Sequence, residues 1–127
     1  MGFFRRRRDE PVDPEERSPQ LGVKFKDMLV LDQLMKAGAD LQQPRHVLHF
    51  LYFAGEDPAA LAASAARDAG WDAGVAPPIP EQPDQWLVRC EQHGIVTDPI
   101  TVRDSTDFFE QLAATHGGEY DGWEASV

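Results

Sequence analysis

Arg45-His46-Val47-Leu48-His49-Phe50-Leu51-Tyr52-Phe53 is the most apolar stretch of the chain, and Ala54-Gly55 closes it. Pro44 stands before it and makes a poor helix interior. A short run of apolar, aromatic and β-branched residues between Pro and Gly predicts a strand buried on both sides, or nearly so. Such a strand belongs at the centre of a sheet, and the other elements are expected around it.

On its C-terminal side, Asp57-Pro58 predicts a helix start, with Asp57 as cap and Pro58 at the first helical position. Leu61, Ala62, Ala65 and Ala69 are expected to face inward, and Gly70 ends the helix. Trp71 to Val75 alternates as a short edge strand, followed by a stiff loop with Pro77, Pro78, Pro80 and Pro83. Gln85 to Ile95 predicts the next strand. Trp86, Val88 and Cys90 share one face, Gln85, Leu87, Arg89 and Glu91 the other, and Gly94 marks a bend or bulge. Asp98-Pro99 breaks that strand, and Thr101 with Asp104 has capping-box-like spacing. A helix to His116 follows, using Phe108, Phe109 and Leu112, and Gly117-Gly118 ends it. Glu119 to Val127 is the last strand, with Tyr120 and Trp123 around Gly122.

On the N-terminal side, residues 23–37 predict a helix with a broad apolar face of Phe25, Met28, Leu29, Val30, Leu31, Leu34 and Met35, which is read as packing surface. Gly38 suits its end. Residues 1–22 predict a disordered arm that is dispensable for folding. Arg5 to Arg8 is a run of like charge, and Pro11, Pro14 and Pro19 follow among acidic residues.

The domain is therefore residues 23–127, with strand, helix, strand, strand, helix, strand after its first helix. This is the order of an α+β, ferredoxin-like βαββαβ sandwich, with the first and third strands in the middle. The extra N-terminal helix is expected over the open face or an edge of the sheet.

The net charge is −10, and because Arg5 to Arg8 supply +4 the rest of the chain carries −14. An acidic body repels phosphate backbones, which disfavours direct nucleic-acid binding by the folded domain and favours solubility or a basic protein partner. The arginine run is the one candidate for weak contact with an anionic membrane or RNA. No run approaches the roughly 20 apolar residues that span a bilayer, and no signal peptide is visible. The single cysteine, Cys90, excludes an intramolecular disulfide and fits a reducing cytoplasm.

Catalytic motifs are missing: there is no Gly-rich phosphate loop, no His-Glu-x-x-His and no Gly-x-Ser-x-Gly. His46 and His49 are three apart on a strand, so they point to opposite faces and cannot share an ion. His93 and His116 have no Cys or His partner at ligand spacing. Cys90 alternates with Trp86 and Val88 and reads as a buried small apolar residue. No catalytic, cofactor-binding or metal-ligating residue is expected, and no cofactor. Asp121 and Glu124, near Glu119, read as solvated charges rather than an acid–base pair. A second, independent reading is a ligand-binding domain or enzyme. Its pocket would lie between the N-terminal helix and the sheet, lined by Phe25, Met28, Phe50 and Tyr52.

Two stretches together resemble the regulator of ribonuclease activity B family. They are Pro44-Arg45-His46-Val47-Leu48-His49-Phe50-Leu51-Tyr52-Phe53 and His116-Gly117-Gly118-Glu119-Tyr120-Asp121-Gly122-Trp123-Glu124. The Glu-Tyr-Asp-Gly-Trp core is the more specific, and the resemblance covers roughly residues 40–127. It implies a ferredoxin-like fold and a non-catalytic protein that binds ribonuclease E and inhibits its cleavage of RNA. The characterised proteins carry a long acidic C-terminal extension, whereas this sequence stops at Val127, and the arginine-led arm is not part of the family pattern. Tyr120, Asp121 and Glu124 are the candidate partner-binding residues under this resemblance, while Trp123 reads as structural.

Overall fold

The computed structural model describes residues 13–127, so Arg5 to Arg8 lie outside the described residues. The elements are α1 (Phe25–Lys36), β1 (Arg45–Phe53), α2 (Glu56–Asp68), β2 (Asp72–Ala76), β3 (Trp86–Ile95), α3 (Pro99–Thr115) and β4 (Glu119–Ala125). The four strands form one antiparallel sheet in the order β2-β3-β1-β4. The molecule is thus an α+β sandwich whose strand order fits the ferredoxin-like pattern, with β1 and β3 central. Right-handed crossovers from β1 to β2 and from β3 to β4 place α2 and α3 on the same side of the sheet.

β1 alternates strictly between buried and half-buried residues. Leu51 and Phe53 face the helices and pack with Val88 and Cys90 of β3, Phe109 of α3, and Ala59, Ala62, Ala63 and Ala66 of α2. The inward face of α2 is therefore these four alanines, spaced three and four apart. Only Ala62 of the four expected residues is fully buried, and Leu61 is 60% exposed. Alanine at every contact lets α2 lie close to the sheet, and that close approach turns Leu61 outward. The cap of α2 also differs. Gly55 is the N-cap and no side chain caps it, so Asp57 sits inside the first turn, where its charge suits the helix dipole.

α3 is capped by Asp98, whose carboxylate accepts a 2.8 Å hydrogen bond from the Thr101 amide, with Pro99 in the first turn. Asp104 turns instead to the neighbouring Arg103, so the expected pairing of Thr101 with Asp104 does not form. After α3 the chain must pass under Phe53. A Cβ on Gly118 would lie 2.4 Å from the Phe53 ring and 2.5 Å from the Tyr52 carbonyl oxygen, so only glycine fits there.

α1 does not cover the open side of the sheet. Leu31 and Leu34 pack with Val102 of α3 and with Val47 and Trp123, on the face that α2 and α3 already occupy. Its broad apolar surface is only partly used, because Leu29 and Met35 are each more than half exposed.

Residues 13–22, assigned to the arm by composition, are bound to the domain. Arg17 and Lys24 form an isolated bridge, the Ser18 amide donates to the Val23 carbonyl at 2.8 Å, and the Phe25 amide donates to the Glu16 carbonyl at 2.9 Å. This small hairpin lies along one face of α3. Arg17 pairs with Asp107, Lys24 with Glu110, and Arg103 donates to the Leu21 carbonyl. Composition did not foretell this, because backbone hydrogen bonds and ion pairs hold the segment, with Val23 as its buried apolar anchor.

Candidate functional site

Side chains alternate across a strand, so the half-buried residues of β1 all project from the side without helices. They are His46, Leu48, Phe50 and Tyr52. On β3 the same side carries Leu87, Arg89 and Glu91, directly opposite Tyr52, Phe50 and Leu48. On β4 it carries Glu124, opposite Leu48, and Glu119, opposite Tyr52. Asp72 of the edge strand β2 pairs with Glu91. One row across the sheet therefore reads Asp72, Glu91, Leu48, Glu124. Among the described residues no helix covers this side. The result is an apolar strip with carboxylates on both flanks.

This arrangement corrects two expectations. The central strand is buried on one side and only half-buried on the other. The pocket expected between α1 and the sheet does not form either, since Phe50 and Tyr52 project away from α1. The aromatic strand and the Met-bearing helix are on opposite sides of the sheet.

The three candidate partner-binding residues of β4 separate. Asp121 and Glu124 are exposed. Tyr120 turns inward, its hydroxyl lies 2.8 Å from His49 Nδ1, and its ring stacks towards Phe109. Burial pushes the Tyr120 hydroxyl well above the ordinary tyrosine range. Burial likewise lowers the His49 pKa to about 3, so this imidazole is neutral at physiological pH. Trp123 donates from Nε1 to Asp27 Oδ1 at 3.0 Å and so ties β4 to α1. Desolvation raises the Asp27 carboxyl above its usual range, opposed by the bond from Trp123. Cys90 is fully buried and its thiol is pushed up to about 12, so it stays protonated.

The structure also brings together residues that sequence spacing kept apart. His46 Nε2 lies 2.6 Å from Glu91 Oε2, and the His46 and His93 rings stack with centroids 4.0 Å apart and planes 6° apart. His46 and His49 do face opposite sides of the sheet. His93, expected to have no Cys or His partner, stacks on His46. The signal for this lay in strand pairing and not in spacing. A register irregularity between Arg45 and Val47, opposite Gly94 at φ +79°, sets His46 beside His93.

The fold and this surface define the chain as a two-layer α+β domain with one uncovered sheet face. The model of the family described as regulator of ribonuclease activity B matches residues 26–125. The chain belongs to that family, which is regulatory and non-catalytic. No curated protein matches the chain. Among the described residues, no helix is long and apolar enough to cross a membrane.

Proposed function

We propose that the domain binds a ribonuclease of the E/G class and restrains its cleavage of RNA, without catalysing a reaction and without a cofactor. The observation that carries this reading is the row in which Leu48 lies between Glu91 and Glu124 on the uncovered face. An apolar centre with a charged rim is the anatomy of a protein docking surface. An acidic rim selects a basic partner segment and speeds its approach. The same acidity disfavours RNA as the direct ligand and favours the enzyme as the partner, and the single free, buried Cys90 agrees with action in a reducing cytoplasm. Asp121 and Glu124 extend the surface towards the β4 edge, and Tyr120 supports it from beneath through His49.

Binding of the purified chain to purified ribonuclease, measured at low and at high salt alongside cleavage of a model RNA, tests the reading. Affinity is expected to fall steeply with salt. Joint replacement of Phe50→Ala and Glu124→Gln is expected to weaken it, whereas Leu61→Ala, on the opposite side of the molecule, leaves it unchanged. No association at low salt would remove the proposal.

A further inference from the structure

We infer that His46, Glu91 and His93 form a binding site for a divalent transition-metal ion, zinc above all, on the uncovered face of the sheet. One ligand atom from each of the three residues lies within 4.8 Å of the other two. Two imidazoles and one carboxylate are a donor set of the kind that zinc takes with a fourth position left open.

The spacing suits a tetrahedral ion. Two zinc-bound nitrogens at bond lengths of 2.0–2.1 Å sit about 3.4 Å apart, and the rings are stacked in nearly parallel planes with centroids 4.0 Å apart, so one imidazole must turn about its side-chain torsions before both in-plane lone pairs point at one ion. The Glu91 carboxylate stands closer, 2.6 Å from His46 Nε2. That distance is a proton-bearing contact. Replacing the proton by an ion requires the carboxylate to withdraw by less than about 1 Å. In the bound state His46 Nε2 presents its lone pair and carries its proton on Nδ1 instead.

The frame is stiff. His46 stands on β1 and Glu91 and His93 on β3, the two central strands; Glu91 is held in the ladder opposite Leu48, and the His46 backbone, at the register irregularity, bonds to Ser126. Side-chain rotation alone adjusts the site. Arg89 Nη2 lies 3.6 Å from Glu91 Oε2 and orients the carboxylate from outside. His46 and Glu91 are half-buried and His93 is exposed, so the open coordination position faces solvent.

The site shares Glu91 with the proposed docking row, but its test needs no partner and reads metal binding alone. Zinc chloride is titrated into the full chain by calorimetry, and the imidazole resonances are followed by NMR. The expected result is one saturable equivalent, with the His46 and His93 ring signals shifting together and those of His49 and His116 unmoved. His46→Gln or His93→Gln is expected to weaken binding by at least about tenfold, the low end of what loss of an outer-sphere partner costs. Acidification weakens it too, because protons compete for the imidazoles. Cobalt(II) is expected to give the intense visible absorption of a tetrahedral site in the wild type and to lose it in either variant. Absence of saturable zinc binding would overturn the inference. So would ring shifts at His116 in place of His46 and His93, or full-strength binding in both variants.

Discussion

Val47, His49, Leu51 and Phe53 of β1 are between 0% and 3% exposed, while Leu48, Phe50 and Tyr52, interleaved among them, stay only half-buried. Both sets are mainly apolar or aromatic, and the buried one even includes a histidine. Their different fates come from the helices, since α1, α2 and α3 all lie on one side of the sheet. The buried set makes the core, and the other set makes a surface. An aromatic strip left uncovered by the helices is the kind of surface on which a partner can dock.

The sharpest way to break this contrast is to truncate one residue from each set. Leu51→Ala is expected to cost about 3 kcal/mol, the mid-range for a fully buried leucine. Phe50→Ala is expected to cost about 1 kcal/mol or less, nearer the range of surface changes. Urea unfolding of both variants measures the difference. Equal losses would mean that the second face is covered after all.

Acid tests the buried set through His49. Its folded pKa is about 3 against an ordinary 6.5, so below pH 6.5 the unfolded chain takes up a proton there that the folded chain refuses. Unfolding free energy therefore falls as pH drops from 6.5 towards 3, at a limit of about 1.4 kcal/mol per pH unit. Asp27 acts in the opposite sense. Its folded pKa is raised, so the folded state takes up the proton first and gains relative stability as pH falls. The clean readout is the difference between wild type and His49→Leu in denaturant midpoints between pH 6.5 and 4.5. Parallel pH profiles for the two proteins would show that His49 is not the group responsible.

A smaller effect is expected from the segment along α3. Removing residues 1–22 deletes the Arg17–Asp107 pair, whose side chains are 41% and 45% exposed, and leaves Lys24 without Glu15. Exposed pairs contribute at most about 1 kcal/mol each, so a thermal midpoint lower by a few degrees is expected from a scan of the truncated chain. An unchanged midpoint would return this segment to the status of a dispensable arm.

The smallest stability effect belongs to the uncovered face itself. Glu124→Gln is expected to move unfolding free energy by no more than about 0.5 kcal/mol while weakening ribonuclease binding at low salt. Loss of stability without loss of binding would show that the acidic rim serves the fold alone.

Much of this was legible along the chain. The Pro- and Gly-bounded runs located all seven elements to within a few residues. The dominance of Arg45–Phe53, with the strand and helix order around it, pointed to the central pair of strands. Local rules suffice for this because caps, breakers and two- or three-residue periodicities act over a few neighbours. The Glu119-Tyr120-Asp121-Gly122-Trp123 core, read with the strand before it, pointed to the family. What tertiary structure alone decided is which face of an apolar strand is covered, and which residues meet across strands. Leu61 looked inward until α2 approached the sheet on alanines. His93 looked solitary until the irregular register of β1 and β3 laid it against His46. Residues about 45 positions apart become neighbours only through strand pairing, and spacing along the chain carries no trace of that contact.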